Sequence, residues 1–168
     1  MNITKKQIYA EEYQQQFSEQ LAGGSQAMLK AVSRWAGKDI GMGEMKQMMK
    51  DGKLISKEIL PLLAEEMAKL CTDIVQDMDC VPVLIPFHFY KDLKLMESIH
   101  KNLDKDIKDK VVIIDEYLYV EDYLSLIGNM DIMVAMRLHG LIFSVLMGVY
   151  PIGISYDPKI QSFLHMMD

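Results

Sequence analysis

The sequence predicts an α/β fold in which about four parallel strands form one sheet covered by helices, preceded by a helical N-terminal segment. Two observations carry this prediction. Short runs that are apolar at every position alternate with single helices through residues 57–168, and such runs are typical of parallel strands buried on both faces. The residues before them show helix-forming patterns. We therefore expect two parts, residues 1–56 and residues 57–168.

The N-terminal segment is predicted to be helical. Residues 4–21 are rich in Glu and Gln, which favour helices, and a Gly-Gly pair interrupts the pattern soon afterwards. Ser25 can cap a second helix that contains Trp35, and a short third helix is predicted over Glu44–Lys50.

The second part is predicted to alternate helices with strands. The helices are expected at Lys57–Val75, Lys91–Leu103, Val120–Ile127, Leu138–Gly148 and Pro158–Met167. The strands are expected in the stretches CVPVLIPFHF, KVVIIDEY, DIMVAM and YPIGIS. Right-handed connections would make this sheet Rossmann-like, although it has no Gly-x-Gly-x-x-Gly motif. Ligands of such sheets bind beyond the carboxyl ends of the strands.

Composition narrows the classes of function. The chain of 168 residues has a net charge of −6, and the acidic excess lies after residue 56, which argues against nucleic acid as the main partner. The most apolar stretch, Leu138–Ile154, contains His139 and Pro151, so we predict a buried helix and strand and no membrane span. The N-terminus shows no signal-peptide pattern, and the two cysteines lack metal-ligand spacing. We expect a cytoplasmic protein with reduced thiols, without metal or cofactor.

Charged and polar side chains follow the third and fourth predicted strands. Arg137 and His139 lie where the third strand turns into its helix, and Ser155, Tyr156 and Lys159 lie where the fourth strand does. Because parallel strands end at one edge of a sheet, these side chains are expected around one crevice, beside two helix N-termini that present free N–H groups. Such a crevice suits a small anion that carries phosphate or carboxylate groups.

Structural roles are the alternative for each of these residues. Arg137 could pair with a nearby carboxylate, and His139 could be packed in the core. His88 lies near the end of the first predicted strand and could reach the crevice, but a structural role is favoured. For Tyr117, Tyr119 and Tyr123, core packing is favoured over a platform for a sugar ring.

The stretch RLHGLIFSVLMGVYPIGISYDPK resembles the C-terminal signature of the polysaccharide pyruvyl transferase family. The shared pieces are Arg137-Leu138-His139, a run of small and apolar residues, the stretch from Gly148 to Pro151 with one extra residue, and Ile154–Lys159. The similarity extends back through VPVLIPFH to the helix that begins at about Lys57, and is greatest to the branch that helps anchor surface-layer proteins to the cell wall. Residues 1–56 do not take part in it.

The resemblance implies transfer of pyruvate from phosphoenolpyruvate to a sugar, lipid-linked or in a cell-surface polysaccharide, with formation of a pyruvate ketal. It implies a catalytic role for His139 and binding of the donor by Arg137, Lys159, Tyr156 and Ser155. The family fold resembles a glycosyltransferase-B pair of Rossmann-like domains, of which this chain is expected to carry the donor-side half. Because the other half has no counterpart here, the chain is not expected to be active alone, and formation of a homo-oligomer stays open.

Two other functions remain open, because a fold alone does not fix a function. The chain could be half of a glycosyltransferase that uses a nucleotide sugar. It could also be a helical interaction module fused to an inactive α/β remnant. The compact set of Arg137 and His139 suits a small anion better than a nucleotide, whereas the missing half favours the non-enzymatic alternative.

Overall fold

A computed structural model of the chain describes residues 26–51, 56–154, 160, 162–163 and 166. The chain forms two compact units. One is Gln26–Glu116, and the described residues of the other begin at Tyr117. Both contain helices and short parallel strands, which confirms a mixed α/β chain. The predicted division into residues 1–56 and 57–168 stays a prediction.

The first unit begins with three helices that share one hydrophobic cluster. They are α1, described over residues 26–36, α2 (Met42–Lys50) and α3 (Ser56–Met78). Helix α3 confirms the predicted long amphipathic helix and extends it at its C-terminal end, with Pro61 accommodated near its start. The cluster consists of Ala31, Val32, Ile40, Met45, Ile59 and Leu63.

A buried carboxylate also ties α1 to α3. Glu66 is only 7% exposed, and its Oε1 accepts hydrogen bonds from Lys69 Nζ at 2.8 Å and from Arg34 Nη1 at 3.2 Å. Burial alone would raise the pKa of Glu66, but the hydrogen bond and charge of Lys69, the hydrogen bond of Arg34 and the charge of Lys30 hold it below its ordinary value. A lowered folded-state pKa means that this pairing stabilises the unit at neutral pH, and that its contribution is lost as the pH falls through that pKa.

The rest of the first unit carries a small parallel sheet. Strand β1 (Val83–Leu84) pairs with β2 (Val112–Ile113), and between them lie helix α4 (Phe89–Asn102) and the four-residue helix α5 (Lys105–Lys108). Helix α4 packs against α3. The side chains buried in this region are Ala64, Ala68, Cys71, Val75, Ile99, Leu103, Ile107 and Val111.

Both cysteines are free thiols, as the sequence predicts. Burial raises the pKa of Cys71 from 9.0 to about 11, because the thiolate is poorly solvated among apolar side chains. Cys71 is therefore protonated at neutral pH and is a packing residue of the core, not a nucleophile.

The second unit contains two helices and a second parallel sheet. In chain order these elements are α6 (Val120–Gly128), β3 (Ile132–Ala135), α7 (Leu138–Leu146) and β4 (Tyr150–Gly153). Strands β3 and β4 are parallel, with Ile132 opposite Tyr150 and Ala135 opposite Gly153. Of the predicted last helix, residues 160, 162 and 163 are helical, and most of the remainder lies outside the described residues.

The single sheet of four strands is not confirmed. Among the described residues the strands form two separate two-stranded sheets, one in each unit. The first sheet is only two residues long, and Val112 within it is 44% exposed, although its apolar run predicts a buried strand. An apolar run indicates that a strand forms, but the choice of neighbour depends on tertiary contacts, which periodicity does not specify.

Gly148 ends helix α7 with a left-handed backbone conformation, at φ +67°. Val149 N donates a hydrogen bond to Ser144 O at 2.8 Å across this turn, so the last carbonyls of the helix have donors. Only glycine adopts this conformation without steric cost.

We predict opposite effects on stability for alanine at Gly148, which follows α7, and at Gly43, which lies within α2. Gly148→Ala should lower the free energy of unfolding by about 1–2 kcal/mol, because a Cβ atom disfavours a positive φ. Gly43 lies in α2 without a positive φ, and neither glycine has atoms within 4 Å of an added Cβ. Gly43→Ala should therefore raise the free energy of unfolding, by up to about 1 kcal/mol. Urea unfolding measures both changes in free energy. A stabilising effect of Gly148→Ala would contradict the left-handed conformation at Gly148.

Candidate functional site

The turn from β3 to α7 carries Arg137 and His139. Arg137 directly precedes the helix with an extended backbone, at φ −113° and ψ 135°, and its side chain is half-buried. His139 is the second residue of the helix and is exposed. The alternative of a core histidine is therefore wrong for His139. The first N–H groups of α7 add a positive helix end to the charge of Arg137, so the turn can attract an anion.

The packing of α7 explains why His139 faces outwards. Leu141 and Ser144 are both fully buried, and Gly140 is buried beside them. Successive helical residues are about 100° apart, so burial of Leu141 places His139, two residues earlier, on the opposite face. Ser144 Oγ donates to Leu141 O at 2.8 Å, so the one buried hydroxyl on this face has an acceptor.

Strands β3 and β4 end at the same edge of their sheet. Ala135 is opposite Gly153, and Ile154 N donates to Ala135 O at 2.9 Å beyond the last strand residue. The prediction that these two carboxyl ends share an edge is confirmed. Ser155, Tyr156 and Lys159 follow β4 in the chain but lie outside the described residues, so their approach to Arg137 and His139 stays a prediction.

A line of aromatic rings connects His139 to helix α6. The ring of Phe143 lies 6.4 Å from that of His139 and 6.1 Å from that of Tyr123, measured between centroids. Further along the same pair of helices, a Cβ atom placed on Gly128 would lie 2.6 Å from Met147 Cε. Tyr123 is the fourth residue of α6 and Phe143 is the sixth of α7, whereas Gly128 ends α6 and Met147 follows the last residue of α7. Both chains advance from the first contact to the second, so the two helices run in the same direction.

The contacts of Phe143 with His139 and Tyr123 were not predicted from the sequence. His139 and Phe143 are four residues apart in a predicted helix, which is a signal for a contact on one face. No pattern in the sequence pairs Tyr123 with Phe143, because that contact joins two different helices.

Tyr117 and Tyr119 are not packed in the core, in contrast to the prediction from the sequence. Tyr117 is 67% exposed and Tyr119 is 70% exposed, so core packing is wrong for both of them. Tyr123 is half-buried against Phe143. His88 is exposed at the start of α4 in the first unit, where its backbone N–H donates to Asp92 Oδ2 at 2.7 Å.

A surface cavity of about 300 Å³ lies in the first unit, between α3 and the region that joins α4 to α5. Lys69 is its only cationic lining residue, whereas Glu65, Asp73 and Asp104 are acidic, so the cavity does not suit an anion. Within the described part of the chain, no group of three His, Cys, Asp or Glu side chains is placed to hold a metal ion. No helix of that part is both long and apolar enough to cross a membrane.

Comparison with known protein families gives one match. The model of a family described as polysaccharide pyruvyl transferase matches residues 49–158, which is more than half of the chain. The matched region extends from α2 to beyond β4 and includes Arg137 and His139. Comparisons with curated proteins and with solved structures found no match.

Proposed function

Because the chain belongs to the polysaccharide pyruvyl transferase family, we propose that it takes part in transfer of pyruvate from phosphoenolpyruvate to a sugar of a cell-surface polysaccharide. In this proposal the chain supplies the donor side of the site, as the Rossmann-like half of a glycosyltransferase-B-like pair. One observation carries it. The N-terminus of α7 presents the half-buried Arg137 and the exposed His139 at the edge where β3 and β4 both end.

The reaction joins two sugar hydroxyl oxygens to C2 of phosphoenolpyruvate. The bond from C2 to the phosphate oxygen breaks, and phosphate leaves with that oxygen. The methylene carbon takes one proton and becomes a methyl group, and the second hydroxyl proton leaves with phosphate or solvent. The product is a cyclic ketal that keeps the pyruvate carboxylate. The balance needs an acid, a base and charge neutralisation, but no redox partner.

Each predicted residue has a role in this chemistry. Arg137, the N–H groups at the start of α7 and Lys159 would neutralise the phosphate and carboxylate of the donor. His139 would carry the proton between the sugar hydroxyl and the methylene carbon, since imidazole exchanges protons near neutral pH. Ser155 and Tyr156 would donate hydrogen bonds to the same anion. The donor is a small intracellular metabolite, and we place the reaction in the cytoplasm with a lipid-linked or polysaccharide acceptor.

Calorimetry with phosphoenolpyruvate tests the proposed donor. The wild-type chain should bind it, and His139→Ala and Lys159→Ala should each weaken binding by about tenfold, the loss of roughly one charge-assisted hydrogen bond. His88→Ala is a matched control, because His88 is also an exposed histidine at the start of a helix after a parallel strand. It should bind like the wild type.

Calorimetric titrations with phosphoenolpyruvate and with uridine diphosphate distinguish the three functions considered above. If uridine diphosphate binds and phosphoenolpyruvate does not, the chain is half of a nucleotide-sugar enzyme. If neither ligand binds, the proposal is wrong and the non-enzymatic alternative gains support.

A further inference from the structure

We propose that the exposed rings of Tyr117 and Tyr119 form a subsite for a neutral pyranose sugar, the acceptor side of the same reaction. This inference rests on the function proposed above. Both rings belong to the second unit and lie in the segment that leads into α6. Tyr117 and Tyr119 are together called the tyrosine pair.

The exposure of the tyrosine pair is the first observation. The two side chains are 67% and 70% exposed, although large aromatic side chains gain free energy from burial. They also contact each other, with ring centroids 5.6 Å apart and planes at 82°. Two rings at a right angle form a corner, which can cover the C–H face and one edge of a pyranose ring. The two rings in contact therefore offer one continuous aromatic surface that a ligand can cover.

The neighbouring charges decide which ligand fits. Glu121 and Asp122 follow the tyrosine pair in the first turn of α6, and both are exposed. Asp122 Oδ2 already accepts a hydrogen bond from Tyr119 N at 2.9 Å, which fixes the backbone at the start of the helix. No Lys or Arg occurs between Tyr117 and Arg137 in the sequence. This acidic surface repels phosphates, whereas the carboxylate of Glu121 can accept hydrogen bonds from sugar hydroxyls.

The packing of α6 and α7 places the tyrosine pair near the donor side. The two helices run in the same direction, because Tyr123 contacts Phe143 and, further along both chains, Gly128 approaches Met147. Tyr119 directly precedes α6 and Arg137 directly precedes α7. Adjacent packed helices have axes about 8–10 Å apart. The start of α6, which Tyr119 directly precedes, therefore lies about one helix spacing from the start of α7, which carries His139.

Saturation-transfer NMR with methyl pyranosides of glucose, galactose, mannose, N-acetylglucosamine and N-acetylmannosamine tests this subsite. At least one of them should receive magnetisation from tyrosine ring protons of the wild-type chain. For that sugar, Tyr117→Ala and Tyr119→Ala should each weaken binding about three- to tenfold, and Tyr119→Phe should keep most of it, because the ring remains.

Tyr90→Ala is the matched control. Tyr90 is 77% exposed and makes a similar edge contact with Phe89, at 5.5 Å between centroids, but it lies in the first unit and directly precedes Lys91. Its replacement should leave sugar binding unchanged. Equal losses of sugar affinity in Tyr90→Ala and Tyr119→Ala would overturn the subsite. Binding of tetramethylammonium at the tyrosine pair, with no binding of any of the sugars, would also overturn it.

Titration of the same variants with phosphoenolpyruvate separates this inference from the proposed function. Tyr117→Ala and Tyr119→Ala should keep wild-type affinity for the donor. A chain that binds phosphoenolpyruvate but none of the sugars overturns the subsite and leaves the donor role intact. A chain that binds a sugar at the tyrosine pair but not phosphoenolpyruvate keeps the subsite and overturns the transfer function.

Discussion

Replacement of Arg137 by alanine should weaken binding of phosphoenolpyruvate by about 10- to 100-fold. A charge-assisted hydrogen bond contributes about 1.5–3 kcal/mol, and each 1.4 kcal/mol corresponds to roughly a tenfold change in affinity. The side chain directly precedes α7 and is half-buried, so it meets the anion where water is partly excluded. Arg137→Lys should give an intermediate affinity, because lysine keeps the charge but not the planar, two-donor geometry.

The other arginine of the chain provides the control. Arg34→Ala changes the net charge by the same amount, but Arg34 lies in the first unit, where Nη1 is 2.8 Å from Glu65 Oε2 and 3.2 Å from Glu66 Oε1. Isothermal titration calorimetry should show an affinity for phosphoenolpyruvate within about twofold of the wild type for Arg34→Ala, since Glu65 and Glu66 already pair with the guanidinium group of Arg34. Equal losses for the two variants would mean that net charge, and not the turn before α7, attracts the ligand.

Replacement of Leu141 by alanine should lower the free energy of unfolding by about 2–5 kcal/mol, the range for a leucine removed from a packed core. Leu141 is fully buried in α7, beside the buried Ser144. Its burial also holds the opposite face of α7, with His139, towards solvent. A loosened α7 should therefore bind phosphoenolpyruvate less well under conditions in which the variant is still folded.

Leu146 in the same helix provides the matched substitution. Leu146 is 68% exposed, so Leu146→Ala should change stability by no more than about 0.5 kcal/mol. Urea unfolding followed by circular dichroism compares the two variants with the wild type. Similar unfolding midpoints for Leu141→Ala and Leu146→Ala would show that α7 does not pack through the face that contains Leu141.

Local sequence patterns predicted several elements closely. The apolar stripe from Lys57 predicted α3, and acidic residues followed by Gly128-Asn129 predicted α6, because both signals depend on residues within one or two helical turns. The order of β3, α7 and β4 was also predictable, together with the position of Arg137 and His139 at the end of β3. These features follow from the continuous apolar runs and the direction of the chain alone.

Features that depend on distant partners were not predictable. Helix α5 has four residues, too few for a periodic pattern. The division of the strands into two pairs depends on which strand each one meets, and the exposure of Tyr117 and Tyr119 depends on what covers them. The type of an apolar or aromatic residue in a single sequence indicates neither the strand that it will pair with nor the side chains that will cover it.

Amide NMR of the nitrogen-15-labelled chain during titration with phosphoenolpyruvate is the most direct test of the donor site. The amide signals of residues 137–140 at the start of α7 should shift, together with those of residues 154–157 and 159, which follow β4 in the chain. Signals of α3 and α4 in the first unit should stay in place. Shifts confined to the first unit, or no shifts at concentrations of phosphoenolpyruvate that saturate the calorimetric signal, would contradict an anion site at the edge where β3 and β4 end.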